Sequence, residues 1–136
     1  MTPFIRLNFI SATYAFGIFV VIELLANTYR IIRLTDNRLD FDGVVVLIVI
    51  FIIAASILFY WATKKIMKGL KIRYFSLILW LPYLALFIYG FAVLFPLTNP
   101  GEKPVPVIGL LVLAGVIVYP LYLLLINVLS VLNTKK

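Results

Sequence analysis

Four long apolar runs, at about 8–27, 44–62, 74–95 and 107–130, dominate the sequence. Each is long enough to cross a hydrocarbon core of roughly 30 Å at about 1.5 Å per residue. Only the first carries a charge, Glu23. Lipid offers no water to a free backbone N–H or C=O, so each run must satisfy its own backbone as a helix. A membrane β-barrel would alternate polar and apolar positions, and 44–53 shows no alternation. The expected fold is all-α: a polytopic membrane protein whose four transmembrane helices form an antiparallel bundle with short loops. Composition agrees: hydrophobic residues make up 65% of the 136, against about 45–50% in soluble domains.

The connections, 28–43, 63–73 and 96–106, leave no room for a second domain, so 1–136 reads as a single four-helix unit. Short connections of this kind are expected to place consecutive helices side by side and antiparallel. The first run is read as a retained helix. It holds Glu23, and no clear A-x-A cleavage pattern follows it. Basic residues set orientation. With both termini inside, the inner side holds eight (Arg6, Lys64, Lys65, Lys68, Lys71, Arg73, Lys135 and Lys136), the outer side four (Arg30, Arg33, Arg38 and Lys103). The bias favours N-in and C-in, in the plasma membrane by default.

The chain contains neither cysteine nor histidine. Thiolate chemistry, disulfides, His-based zinc sites and serine–histidine catalysis are therefore excluded. The five acids are Glu23, Asp36, Asp40, Asp42 and Glu102, and four of them lie outside the apolar runs. One chain cannot build a paired-carboxylate site within the membrane. We expect no enzyme activity, no metal site and no cofactor. The net charge of +7 sits beside the apolar runs, so the expected partner is a bilayer with anionic headgroups, with no nucleic acid.

Glu23 is the most informative residue. A carboxylate within a span costs a few kcal/mol and faces a bundle interior or a wet cavity. Asn27 and Arg30 follow it on the same helical face, making a polar strip toward the outer surface. The strip is either a cation- or proton-binding site or an internally paired interfacial cluster. In the segment 64–73, Lys64, Lys65, Lys68 and Lys71 would share an arc of about 120° on a helix, with Arg73 close by. That suits an interfacial turn contacting lipid headgroups or an acidic partner. Asp42 and Gly43 are expected to cap the second helix. The segment 36–43 is a poor match to a calcium loop, because Arg38 stands where an acid or amide belongs.

Pro82 and Pro120 free the carbonyls of Ile78 and Val116. Tyr83, Tyr89, Tyr119 and Tyr122 lie near those breaks. Their phenols are candidates to satisfy the freed carbonyls, or Tyr83, Tyr119 and Tyr122 to line a small cavity with Asn127. Ser11 with Ala15, and Thr13 with Gly17, have the small-xxx-small spacing that permits close helix contact. Asn99, Pro100 and Gly101 read as a tight turn.

Two classes of function fit. Few polar groups lie within the spans, which suits a non-catalytic protein acting through helix–helix or lipid contacts. It would be an accessory, immunity or assembly subunit of a larger membrane complex, or a homo-oligomer. The alternative is a small oligomeric transporter, channel or lipid flippase using Glu23. Four helices with one carboxylate in the first resemble the layout of the small multidrug-resistance exporters. That resemblance implies an oligomer with Glu23 at a shared site. Glu23 lies nearer one end of its span than a shared central site requires, and the likeness extends to no sequence motif.

Overall fold

A computed structural model of the chain describes residues 2–96 and 106–134. Five α-helices occur among them: α1 Pro3–Ala26, α2 Thr28–Leu34, α3 Phe41–Ile66, α4 Ser76–Leu94 and α5 Pro106–Thr134. A 3₁₀ turn, Lys71–Phe75, leads into α4. The fold is all-α, and four helical stretches are long and apolar enough to cross a membrane. The tight turn expected around Asn99, Pro100 and Gly101, and the cations Lys103, Lys135 and Lys136, lie outside the described residues.

The helix ends have local causes. α1 starts at Pro3 rather than near position 8: the Thr2 hydroxyl accepts the Ile5 N–H at 3.3 Å, and proline suits the first turn. The residue that caps α3 is Asp40, not Asp42. A capping oxygen must reach the N–H three residues on, and Asp40 Oδ1 accepts from Gly43 at 2.8 Å. Asp42 lies in the first turn, where the helix dipole favours an acid.

The first connection also contains structure not expected from the sequence. After a bend at Asn27 the chain resumes as α2, because Ile31 N–H bonds back to the Asn27 carbonyl at 2.9 Å. α2 closes where Asp36 and Asn37 turn left-handed, at φ 52° and 64°. These two residue types tolerate that region. Asn37 N–H then bonds to the Ile32 carbonyl at 3.0 Å.

α1 is the hub. It packs most extensively on α4, then on α3, then on α5, while α3 also packs on α5. Aromatic contacts give the directions. Phe16 and Phe19 of α1 meet Phe87 of α4, and Phe19 also meets Phe91, so the two chains climb together in parallel. Asn8 Oδ1, lower on α1, accepts the Tyr83 phenol at 2.5 Å. α3 runs against α1: Phe59 lies edge-on to Tyr14 with ring centroids 5.2 Å apart. α5 reaches α4 through Trp80 and Tyr119, whose centroids are 4.9 Å apart.

One chain-order expectation does not hold. α3 and α4 are joined by a short connection, yet they do not lie side by side. The connection passes beneath α1 and α5 instead of forming a hairpin. Its 3₁₀ turn contacts both of those helices as well as α4. Gly69, at φ 76°, supplies the left-handed residue that redirects the chain. The buried Met67 and the half-buried Leu70 and Ile72 anchor the connection to the core.

Candidate functional site

The charged side chains within the bundle sit at its two ends, each among polar partners. At the basic end, α1, α3, α5 and the 71–75 turn converge on a buried network. The Tyr14 phenol bonds the Thr63 hydroxyl and receives the Asn127 Nδ2 donor at 3.4 Å. Asn127 Nδ2 also bonds its own helix at the Leu123 carbonyl, 2.9 Å away, while Asn127 Oδ1 is buried without a partner among the described residues. Arg73 enters from beneath. Its Nη2 donates to the Met67 carbonyl at 2.5 Å, and its Nη1 donates to Ser130 Oγ at 3.0 Å and to the Asn127 carbonyl at 3.4 Å. Ser76 Oγ donates to the Arg73 carbonyl at 2.6 Å, which fixes the turn that delivers the guanidinium.

Arg73 is 4% exposed. Its place in 64–73 puts it beside the headgroup-facing lysines, and the structure turns its side chain into the bundle. A guanidinium presents several donors on separate nitrogens of one rigid plane, a spread that the single ammonium of a lysine does not offer. The lysines also do not share one helix. Lys64 and Lys65 end α3, Lys68 is in the turn after it, and Lys71 opens the 3₁₀ turn. Lys64 Nζ lies 5.9 Å from the Tyr60 ring and 5.7 Å from the Trp61 ring, in cation–π range. Lys68, Lys71, Arg73 and Tyr74 line a cavity of about 340 Å³, closed on its α5 side by Val131.

At the opposite end, Glu23, Asn27 and Arg30 are brought together. They line a groove of about 320 Å³ with Phe19, Ile31 and Phe91. Asn27 Nδ2 donates to Glu23 Oε2 at 2.8 Å and to the Glu23 carbonyl at 2.9 Å. The carboxylate is thus tied to the residue where α1 bends. Arg30 Nη1 reaches across to the Phe95 carbonyl at the end of α4, 3.1 Å away.

The tyrosines divide. Tyr119 and Tyr122 stack with centroids 5.6 Å apart and line an apolar cavity of about 240 Å³ between α1, α3 and α5, with Gly17, Ala55 and Phe59. Tyr83 is elsewhere, on Asn8, and Asn127 belongs to the basic-end network. The phenols do not serve the carbonyls freed by proline. Tyr83 donates its one proton to Asn8, and Tyr119 donates to the Tyr14 carbonyl at 2.6 Å. Tyr122 pairs with Ser56, and Tyr89 is exposed on the bundle's outer face.

Tyr14, Thr63 and Ser130 were not singled out from the sequence. The only available signal was spacing. Asn127 and Ser130 stand three apart on one helical face with the buried Leu123, and Ser130 Oγ bonds the Asn127 carbonyl at 2.7 Å. Thr63 and Tyr14 carry no comparable mark.

Fold and polar layout together define a multi-pass α-helical membrane protein. No protein-family model, curated protein or solved structure matches the chain.

Proposed function

We propose that the chain is a small non-catalytic membrane protein that acts by contact, as an accessory, immunity or assembly subunit of a membrane complex. One observation carries this reading. Apart from the Ser56–Tyr122 pair and the Tyr119 phenol on the Tyr14 carbonyl, the side-chain pairs within the spans lie toward the two ends, and the rest of the middle meets through apolar side chains such as Ile18, Ile22, Phe51, Leu84 and Val116. A permeation path needs polar groups along its length. Meanwhile α3, α4 and α5 turn apolar faces outward, including Ile50, Leu86 and Ile117. Such faces pack against lipid or against other helices. The basic end, with Lys64, Lys65, Lys68 and Lys71, lies at the anionic cytoplasmic leaflet of the plasma membrane in this reading, which makes both termini internal.

Photo-crosslinkers at positions 50, 86 and 117 test the proposal in native membranes. One face is expected to join a single protein, another copy or a different chain, in high yield. Lipid adducts from all three faces would sink the idea.

The groove of Glu23, Asn27 and Arg30 favours a second reading, as a small cation- or proton-coupled transporter. Liposome flux that disappears in Glu23→Gln is its expected result. Absence of flux in the unaltered protein across a range of substrates rejects it.

A further inference from the structure

Arg73 is a buried cation whose partners among the described residues are all uncharged: two carbonyls and one hydroxyl. Removing a charge from water is costly unless an opposite charge compensates it. The described acids, Glu23, Asp36, Asp40 and Asp42, lie at the other end of the bundle or in the connection there. The positive charge is reinforced, since the exposed Lys68 and Lys71 line the same cavity. The missing counter-charge must therefore come from outside the described fold.

The cavity's place says what supplies it. The cavity lies where α3 has left the apolar span, just past Tyr60, Trp61 and Lys64, which have the character of an interfacial belt. On its other side α4 begins, and the exposed Phe75 and Ile78 lead back into the span. α4 and α5 also pack only lightly on one another. Cationic walls, a headgroup-level position and an apolar flank suit one amphiphile. We propose that this cavity is a discrete site for the phosphate of an anionic membrane phospholipid. Lys68 and Lys71 contact the phosphate, Arg73 supplies the buried positive charge in the cavity wall behind them, and the acyl chains lie along the lower part of α4. The proposal deepens the contact-acting reading, on which it rests for placing the basic end at an anionic leaflet. The crosslinking test of protein partners succeeds or fails independently of it.

The experiment is native mass spectrometry of the full chain in detergent, titrated with phosphatidylglycerol or with phosphatidylcholine of the same acyl chains. One phosphatidylglycerol is expected to stay bound while phosphatidylcholine is lost. The double variant Lys68→Gln/Lys71→Gln is expected to weaken retention about thirtyfold. Lys64→Gln/Lys65→Gln removes the same charge outside the cavity and is expected to change it less than about twofold. All four lysines are on the surface or half-buried, so both proteins keep the fold. Equal loss in the two doubles would show a diffuse basic anchor and overturn the site. So would equal retention of the two lipids. Displacement by glycerol 3-phosphate at matched concentration would assign the cavity to a soluble phosphate compound and overturn the lipid.

Discussion

Gly17 is where α1 and α3 come closest to exclusion. A Cβ there would stand 2.3 Å from Cζ and 3.1 Å from Cε2 of Phe59. Carbon–carbon contact is comfortable near 3.5 Å, so in Gly17→Ala the ring must withdraw by about 1.2 Å. Phe59 is 3% exposed and held edge-on by Tyr14, whose phenol is tied to Thr63. Overpacking of this kind costs about 1–3 kcal/mol. Alanine recovers up to about 1 kcal/mol over glycine in a helix. We expect a net loss of about 1 kcal/mol for Gly17→Ala. Phe59→Leu removes the atom in conflict and on its own costs about 1–2 kcal/mol in lost contacts. In that background Gly17→Ala is expected to stabilise by up to about 1 kcal/mol, which gives a coupling of about 2 kcal/mol. Reversible unfolding in mixed micelles, followed by far-ultraviolet circular dichroism, measures all four proteins. Additivity of the two changes to within about 0.5 kcal/mol would refute the ring-on-glycine contact.

Three further outcomes are expected. Tyr14→Phe removes the hydroxyl shared by Thr63 and Asn127, and should cost about 1 kcal/mol in the same unfolding assay. Arg73→Lys should cost about 1–3 kcal/mol there, because an ammonium cannot serve Met67 and Ser130 from one plane. Asp40→Ala should lower stability by about 1 kcal/mol and Asp42→Ala by about 0.3 kcal/mol, an order that assigns the cap to position 40.

The spans were legible because lipid imposes one rule on every residue in them. Long apolar runs must be helices, and their lengths must match the core. The polar strip of Glu23, Asn27 and Arg30 was legible for a related reason: it lies on one helix, where spacing alone sets which residues share a face. The basic-end network was not. It joins positions 14, 63, 73, 127 and 130, from three helices and a turn, and no local pattern encodes which helices meet. Arg73 is the sharpest case. Its sequence neighbours are lysines and apolar residues, so it read as one more headgroup contact. Its burial follows from the path of the connection beneath α1, and that path depends on a left-handed Gly69 and on helix pairing far away in sequence.

The order of the helices in space follows from the same solvent. Apolar burial does little to drive helices together in lipid, because lipid tails are as apolar as leucine. Close packing and internal hydrogen bonds decide which helix goes to the centre. α1 is the least apolar of the four spans, and it is also the most buried. It contributes Asn8, Ser11, Tyr14 and Gly17, each of which meets a neighbouring helix or is buried against one. The other three spans each bury less than half as large a share of their residues. Placing α1 in the middle lets its polar atoms be satisfied by α3, α4 and α5 at once. α3 and α4 then fall on opposite flanks of α1, and the short link between them has to cross underneath. The crossing that buries Arg73 is thus a consequence of which helix lipid tolerates least on the outside.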